Sequence, residues 1–463
     1  MHFSFKKTVL ASACTAVLMG LSPASQAANW VMLQGTEEPS ATDVAKVWGF
    51  IQPQYSQTEG TKLPAGTPFA GRDAIFNTIN PDQSSDSQFQ IQRARLGVRG
   101  QNFPLDSNVN YFLLAEFGNN GITANGGGAT RVTDASVTLN HIPGARIRAG
   151  LFKTPGAEEG FQAIHVFDYI NFTNVGDQLL LERFFDRDGA PPCTVLLGGT
   201  AATCANELNG PVGAFRDIGV QVFDAFTFGS FELSYAAMLG NGNGINRGDN
   251  NDSKDKYYYL SGEYVFGGKG PRREGIKLFA WQQDGKRTLI TGGTGTQSVT
   301  GGTAGTVADY DRTRSGLGMT FRKSKYRAAA EYIKADGMIF DGTDGGAVAG
   351  TVNPAGTTFA TFNIAPIDKA DGYYVDFGYL VLPYLELDVR YDTLNRRTDV
   401  AANERKFTTT TLGVQYFFNP KTRATLNYEW RNAEAPNLPD TNPANLILNS
   451  TDNRASLQLT MIF

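Results

Sequence analysis

The chain has 463 residues, a formal net charge of −4, and a composition rich in glycine and aromatic residues, with 52 Gly, 31 Phe and 18 Tyr. This composition favours strands and turns over helices, and after residue 27 there is no apolar run of the roughly 18 residues that a membrane helix needs. These features exclude a helical membrane protein, and the mildly acidic charge offers no basic patch for nucleic acid.

The amino terminus has the pattern of an export signal. Two lysines precede an apolar run from Thr8 to Gly20, and Ala27 completes a small-residue cleavage site. We predict a signal peptide over residues 1–27. A periplasmic arm over residues 28–42 is expected to connect the cleavage site to the first strand.

The segment from Gln88 to Gly100 has two unlike faces if it is a strand. Because successive side chains of a strand point to opposite sides, one face is apolar and the other is basic. In a soluble sheet the apolar face would cover a core, whereas in a membrane barrel it would face lipid and the basic face would line a channel. The apolar face consists of Ala94, Leu96 and Val98, and the basic face consists of Arg93, Arg95 and Arg99.

Segments of about ten residues with period-two alternation recur to the end of the chain, which is the signature of a membrane barrel. We predict an all-β fold, a transmembrane antiparallel β-barrel of 16 strands over residues 43–463, with short periplasmic turns and long outer loops. The last strand alternates up to the terminal Phe463, and such an aromatic ending is typical of outer-membrane proteins. The repeated pattern therefore favours the membrane interpretation of the basic strand.

A second basic strand, from Ala145 to Lys153, also places arginines on one face. Arginine stays charged at physiological pH and presents a fork of donors that matches two oxygens of a phosphate group. Successive inward arginines would give an anion several weak sites, which conduction requires. Inward carboxylates such as Glu116 and Asp134 would neutralise part of this wall, so a general, weakly selective pore is the alternative. The predicted pore-lining residues are Arg93, Arg95, Arg99, Arg146, Arg148 and Lys153.

The long segment over residues 154–214 is the predicted constriction loop. It opens on Pro155 and Gly156, since proline ends ladder pairing and glycine permits a turn inward. Its charges would form a mixed-charge eyelet opposed to the arginine wall, and an external loop held by local salt bridges is the alternative. The predicted constriction residues are Glu158, Glu159, Asp168, Arg183 and Arg187.

Cys193 and Cys204 lie within this loop with ten residues between them. In an exported protein an even, closely spaced pair of cysteines predicts a disulfide. A metal site is disfavoured, because His141 and His165 are the histidines after the signal and neither has a partner at ligand spacing. We therefore predict no metal site and no cofactor.

An outer-membrane enzyme and a surface adhesin are the two alternatives to a channel. An outer-membrane enzyme needs a nucleophile beside a histidine base, and neither histidine after the signal has such a neighbour. A surface adhesin is suggested by the triplet Arg247-Gly248-Asp249, but three residues in a polar loop are a weak signal. We predict that the protein is not an enzyme and has no catalytic residues.

Four phrases of the sequence resemble the phosphate-selective porin O and P family of outer-membrane channels: FQIQRARLGVRG (89–100), RIRAGLFKTP (146–155), FRDIGVQV (215–222) and GYYVDFGYLVLPYLELDVRYD (372–392). The resemblance implies a sixteen-stranded barrel in the outer membrane of a Gram-negative bacterium, assembled as a homotrimer and in contact with membrane lipid and lipopolysaccharide. It also implies an inward-folded third long loop and arginines that guide small inorganic anions of the phosphate type.

Overall fold

The computed structural model describes residues 29–33, 44–79, 83, 85–102, 105–120, 130–181, 184–185, 193–197, 200–204, 207–208, 214–245, 249, 251–268, 272–291, 306–348, 350–358, 360 and 362–463. The predicted signal peptide lies outside the described residues, as do Arg183 and Arg187 of the predicted constriction loop. Within the described ranges, no helix is long and apolar enough to cross a membrane.

Sixteen strands of the described part of the chain close into one antiparallel barrel. In chain order they are β1 Lys46–Thr58, β2 Ser87–Gln101, β3 Val109–Glu116, β4 Arg131–Leu139, β5 Arg146–Lys153, β6 Arg216–Phe228, β7 Phe231–Gly240, β8 Asp255–Gly267, β9 Glu274–Thr291, β10 Thr306–Lys323, β11 Tyr326–Asp336, β12 Lys369–Leu382, β13 Leu385–Arg396, β14 Arg405–Asn419, β15 Thr422–Glu434 and β16 Arg454–Ile462. Each strand pairs with the next, and β1 pairs with β16. Closure leaves no unpaired strand edge, and the predicted barrel and its strand number are confirmed.

Short elements lie in the connections. The helices are Trp30–Leu33, Ile75–Thr78, Glu158–Phe161 and Pro443–Leu448, with a π-helix at Gly176–Leu180 and 3₁₀ turns at Asp344–Gly346 and Ala401–Asn403. Three small sheets pair Ile339–Thr343 with Phe362–Ala365, Phe184–Phe185 with Glu207–Leu208, and Cys193–Leu197 with Thr200–Cys204. None of these described elements joins the barrel sheet.

The two faces of β2 lie as the sequence predicts. Arg93 and Arg95 are inside the barrel, with 4% and 5% of their surface exposed, whereas Leu96 is outside and 45% exposed. The same alternation holds in β16, where Leu457 is exposed and Ser456 is buried. Apolar side chains thus face outward, as a lipid-facing barrel requires, and polar side chains face the central space.

The strands are connected differently at the two ends of the barrel. At one end, which we call the short-turn rim, the connections are tight, for example at residues 324–325, 383–384 and 420–421. At the other end, the long-loop rim, they are long, for example at residues 59–86 and 337–368. In outer-membrane barrels the short turns face the periplasm and the long loops face the exterior.

The aromatic carboxy terminus is fixed to the first strand. The backbone nitrogen of Phe463 donates to the carbonyl oxygen of Gly49 at 3.0 Å, and the nitrogen of Gly49 donates back at 3.3 Å. A Cβ atom at residue 49 would lie 2.5 Å from the ring of Phe463, so glycine is needed for this close approach. The residue that the sequence pattern marks as the end of the barrel therefore also secures its seam.

The hairpin of β9 and β10 is longer than the sequence pattern predicts. The alternation favours Ile276–Asp284 and Thr313–Arg322, whereas the two strands each have 18 residues. Their pairing continues to Thr291, which lies opposite Thr306. Because about 9–11 residues suffice for a strand to cross a bilayer, this hairpin extends well beyond the membrane at the long-loop rim.

Cys193 and Cys204 are register partners in their short hairpin. Directly paired residues of antiparallel strands have Cα atoms about 4.5–5.5 Å apart, which falls within the range that disulfides span. The predicted disulfide stays a prediction, and we expect the processed protein to react with a thiol reagent only after reduction. Labelling of unreduced, denatured protein at either cysteine would contradict it.

The loops of the long-loop rim pack against one another. An isolated antiparallel bridge joins Ala74 of the first long loop to Ala347 of a later one. Around it Leu63, Phe69 and Ala360 form a buried apolar cluster. These contacts hold the loops of this rim together.

Candidate pore and constriction

Residues 154–181 run inside the barrel. Lys153, the last residue of β5, donates from Nζ to the carbonyl oxygens of Gly160 and Gln162 at 2.8 and 2.5 Å, which turns the chain inward. Farther along the segment, Val175 is fully buried in an apolar cluster that fills part of the lumen. This segment, which we call the internal loop, therefore occupies the space that a channel would use.

The internal loop is fixed to the wall opposite its origin. Strand β13 lies eight strands from β5 in a ring of sixteen, which is halfway round the barrel. Asn174 donates from its backbone and side-chain nitrogens to Oδ1 of Asp392 on β13, at 2.8 and 2.7 Å. Asn171 donates from Nδ2 to Glu429 on β15 at 2.8 Å. Because these bonds reach the far wall, the loop crosses the lumen.

Two carboxylates of the internal loop contact cations of the barrel wall. Glu158 accepts hydrogen bonds from Nζ of Lys277 at 2.7 and 2.8 Å, and Glu159 accepts one from Arg390 at 3.2 Å. Burial raises the pKa of Glu159, which lies outside the strands, to about 7, although Arg390 acts in the opposite direction. The sequence predicts that these carboxylates oppose the arginines of β2 and β5, whereas their partners lie on β9 and β13.

A third carboxylate of the internal loop, Asp168, lies among four arginines near the short-turn rim. Its oxygens are 2.8 Å from Arg272, 3.4 Å from Arg327, 3.5 Å from Arg322 and 3.9 Å from Arg423. Burial acts to raise the pKa of Asp168, but the four guanidinium groups hold it well below its usual range. The carboxylate therefore stays charged at any physiological pH.

A cavity of about 420 Å³ opens at the short-turn rim beside this cluster. Among the described residues that line it, six side chains are basic and one is a carboxylate: Arg272, Arg322, Lys325, Arg327, Lys421, Arg423 and Glu386. A smaller cavity of about 120 Å³, lined by Asp168, continues into the barrel and shares three of these arginines. The cavity at the rim thus has an excess of basic side chains, and we call it the basic mouth.

Sequence reasoning missed the basic mouth, although part of its signal is present. In β10, Leu317 and Met319 face outward, and Arg312 and Arg314 are buried inside. The same alternation continues to Arg322, so the two-faced pattern that marked β2 could have marked β10. Nothing in the local pattern predicts Asp168, because its arginines come from distant strands and from the turn before β9.

The three predicted pore-lining residues of β2 face inward. Arg95 is paired with Glu116, with 2.7 Å between Nε and the carboxylate, and Arg93 donates to Oε1 of Gln52 at 3.1 Å. Arg99 is half-buried near the short-turn rim. Glu116, which the sequence suggested as a neutralising residue, therefore balances one of these three positive charges.

The predicted pore-lining residues of β5 hold other parts of the chain in place. Arg146 lies 3.3 Å from Asp224, and Arg148, which is fully buried, donates to the carbonyl oxygen of Val31 at 3.4 Å. Lys153 binds carbonyl oxygens of the internal loop, as described above. These cations lie inside the barrel, but the internal loop and the amino-terminal segment cover them.

Part of the predicted periplasmic arm, residues 28–42, lies inside the barrel instead. Asn29 donates from Nδ2 to Glu232 of β7 at 2.8 Å, and Trp30 donates from Nε1 to Glu158 at 2.8 Å. The physical reason is visible in the sequence WVML at residues 30–33, because so apolar a stretch gains from burial. Residues 29–33, which we call the amino-terminal plug, therefore fill the lumen together with the internal loop.

The two histidines that the structure describes lie in a turn and beside an aromatic ring. His141 contacts Asp106 in a turn, at 2.6 Å, and the ring of His165 lies 5.0 Å from that of Phe50. Among the described residues there is no group of three His, Cys, Asp or Glu side chains that could hold a metal ion.

Comparison with known sequences identifies a family for the carboxy-terminal part of the chain. Residues 292–463 match the sequence profile of the family described as phosphate-selective porin O and P. The phrase at residues 372–392 lies within this match, and the resemblance is confirmed there. No curated protein sequence matches the chain.

Comparison with solved structures finds outer-membrane porins. OmpF of Salmonella typhi, in complex with daunomycin, has a TM-score of 0.51 and 15% identity, over 90% of this chain and 97% of that chain. The anion-selective porin from Comamonas acidovorans has a TM-score of 0.48 and 13% identity, over 90% of this chain and 99% of that chain. OmpT of Vibrio cholerae has a TM-score of 0.47 and 12% identity, over 91% of this chain and 100% of that chain. At these identities the likeness to OmpF shows the fold alone.

Proposed function

Because this chain is a β-barrel of the outer-membrane porin type, and because its residues 292–463 match the phosphate-selective porin O and P family, we propose that it forms a water-filled channel for small anions, with a preference for oxyanions of the phosphate type. Porins act by passive diffusion and perform no catalysis. The proposal concerns the anion preference and the path that the anion takes.

The lining of the basic mouth carries this proposal. Six basic side chains against one carboxylate, among the described residues around the cavity, give its entrance an excess of positive charge. A mouth of one sign, with low-dielectric walls, focuses its field and raises the local concentration of the opposite ion. The guanidinium group of arginine suits an oxyanion in particular, because it can donate hydrogen bonds to two oxygens at once.

We also propose that the internal loop and the amino-terminal plug narrow this channel. Glu158 of the internal loop accepts hydrogen bonds from Trp30 of the plug and from Lys277 of β9, so it connects the two segments and the barrel wall. Solute entering from the basic mouth would pass between the two segments and the wall of β9 to β12, where the smaller cavity lies. The rest of the predicted constriction loop, including Cys193 and Cys204, would stay outside this path.

The predicted homotrimer and its contacts with lipid and lipopolysaccharide are part of the same proposal. Outward aromatic side chains near the short-turn rim support a membrane boundary there: the rings of Tyr326 and Tyr379 lie 5.1 Å apart, and those of Tyr384 and Tyr416 lie 5.6 Å apart. Such girdles mark the interface of outer-membrane barrels. Chemical cross-linking in outer-membrane vesicles is expected to give a trimer band.

The anion preference is tested by the reversal potential of the purified channel in a planar bilayer under a salt gradient. We expect the sign of the reversal potential to show that anions carry more current than cations. We also expect phosphate, sulfate and pyrophosphate to reduce the chloride current. A cation preference would contradict the proposal. A reversal potential near zero would favour the general, weakly selective pore. Paired charges such as Arg95 and Glu116 are consistent with that alternative.

Selectivity is also expected to depend on pH through Glu159. Since burial raises the pKa of Glu159 to about 7, its carboxyl group takes up a proton as the pH falls from about 8 to about 6. The negative charge beside Arg390 is then lost, and the lumen becomes more positive. The anion-to-cation permeability ratio should therefore rise as the pH falls through this range.

The matched control for this pH dependence is Glu159→Gln. The variant lacks this titrating group, so its permeability ratio should change less between about pH 8 and pH 6 than that of the unmodified channel. Reversal potentials recorded at each pH measure the effect. The interpretation is wrong if the unmodified channel shows a flat profile, or if the variant keeps the full pH dependence.

A further inference from the structure

We propose that Asp168 is a built-in competitor for the solute: its carboxylate occupies the arginine site of the basic mouth, and an entering oxyanion must displace it. The inference rests on the proposed anion channel and adds a residue that sets the affinity of its entrance. A tethered carboxylate of this kind would keep a passing anion from binding too tightly, because conduction fails when one site holds the ion.

The contacts of Asp168 leave the arginine site incompletely satisfied. Only its contact with Arg272, at 2.8 Å, has the length of a charge-assisted hydrogen bond. The contacts with Arg322 and Arg423 are 3.5 and 3.9 Å long. In addition, Nε of Arg423 is buried and has no hydrogen-bond partner among the described residues. A second set of acceptor oxygens would therefore find donors at this site.

Two of the four arginines, Arg327 and Arg423, are held in place by contacts that do not depend on Asp168. Arg327 donates to Glu386 at 2.8 Å and to Asp388 at 2.6 Å. Arg423 donates to Gln415 at 2.6 Å, and two backbone carbonyl oxygens of the internal loop accept its other hydrogen bonds. The site should therefore persist when the carboxylate of Asp168 is removed.

Arg272 and Arg322 are the two arginines of the site whose positive charge is balanced mainly by Asp168. Among the described residues, Asp168 is the acidic partner that the structure gives to each of them. The guanidinium group of Arg272 also lies over the ring of Phe417, 4.9 Å from its centre, which orients it. These two side chains line the open cavity, so an oxyanion could reach them from the rim.

The test is Asp168→Asn, which removes the charge and keeps the size of the side chain. Chloride current through single inserted channels is recorded while inorganic phosphate is added on the short-turn side. We expect the phosphate concentration that halves the current to fall at least about fivefold, since one unit charge about 4 Å from the site is removed. In the double variant Asp168→Asn with Arg272→Gln, this phosphate concentration should return most of the way to that of the unmodified channel.

Two variants serve as matched controls. Asp168→Glu keeps the charge, and Asp106→Asn removes a carboxylate from an exposed turn of the same rim, where it contacts His141. Asp168→Glu should show less of a change than Asp168→Asn, and Asp106→Asn should block at the phosphate concentration of the unmodified channel. Because only inserted barrels conduct, each recorded channel is folded, and Asp168→Ser provides a second neutral variant.

The outcomes separate this inference from the proposed function. If the unmodified channel prefers cations, the anion-channel proposal fails. If it prefers anions but Asp168→Asn is blocked by phosphate no better than Asp106→Asn, the anion channel stands and the role of Asp168 is wrong. The inference is supported for oxyanions if Asp168→Asn increases the apparent affinity for phosphate and sulfate more than the apparent affinity for chloride.

Discussion

Replacing Arg272 and Arg322 by glutamine is expected to lower the anion-to-cation permeability ratio by at least about tenfold at low salt. Both guanidinium groups line the basic mouth and are partly exposed to its water. A unit charge about 6 Å from a passing ion is worth roughly 0.7 kcal/mol at the permittivity of water. Two such charges amount to about 1.4 kcal/mol, which is a factor of ten.

The measurement is the reversal potential at low ionic strength, because exposed charges are screened as salt rises. The control variant replaces Lys256 and Lys334, which lie on the outer face of the barrel, by glutamine. It removes the same net charge from the protein but leaves the mouth intact, so its selectivity should equal that of the unmodified channel. If both double variants behave alike, net charge rather than the mouth sets the selectivity.

The same experiment separates the basic mouth from the wall that sequence reasoning favoured. Arg93 and Arg95 lie inside the barrel, but Arg95 is paired with Glu116 and both side chains are buried. Replacing these two arginines by glutamine should lower anion selectivity less than the mouth variant does. A larger effect from Arg93 and Arg95 would move the anion path to the wall of β2.

The barrel could be predicted from the sequence because its determinant is local. A strand that faces lipid on one side and water on the other must alternate, and β2 and β16 do so residue by residue. The terminal Phe463 and the tight turns add signals of the same local kind. Sixteen strands follow once each alternating segment is recognised.

The contents of the lumen could not be predicted in the same way. Asp168 meets arginines that are more than a hundred residues away in sequence, and Glu158 meets Lys277 across the barrel. Such pairs depend on the path of the internal loop, which no periodicity encodes. Local patterns place a charge on the inner face of a strand, but they do not tell which carboxylate will cover it.

The amino-terminal plug shows how a signal can be present and yet be assigned to the wrong place. Residues 30–33 are apolar and come directly after the predicted cleavage site, so they can be interpreted as an arm outside the barrel. Their burial needs a surface that only the folded barrel provides: Val31 and Met32 pack with Phe161 and Phe223 in the lumen. The plug therefore follows from tertiary packing.

Expelling the amino-terminal plug is expected to raise the single-channel conductance at least about twofold, since a helical turn about 10 Å across would leave the lumen. Val31→Asp should do this, because Val31 is 1% exposed and a buried, unpaired carboxylate costs several kcal/mol. That cost exceeds the roughly 1 kcal/mol that each hydrogen bond of the plug contributes. Segments held by few contacts open locally without unfolding the rest.

The matched control is Val44→Asp, the same substitution at a residue that is 58% exposed. Its conductance should equal that of the unmodified channel. Selectivity distinguishes a released plug from a generally loosened barrel. When the plug leaves, Arg148 loses the carbonyl oxygen of Val31 as a partner and faces water, so anion preference should rise together with conductance.

A loosened barrel would instead gain conductance and lose selectivity, because a wider pore brings ions less close to its wall charges. If Val31→Asp conducts no more than Val44→Asp, the plug does not obstruct the path, and solute passes only between the internal loop and the wall of β9 to β12. In that case the contacts of Trp30 and Asn29 would serve to hold the loop rather than to narrow the channel. Conductance and reversal potential, recorded on the same channels, decide between these arrangements.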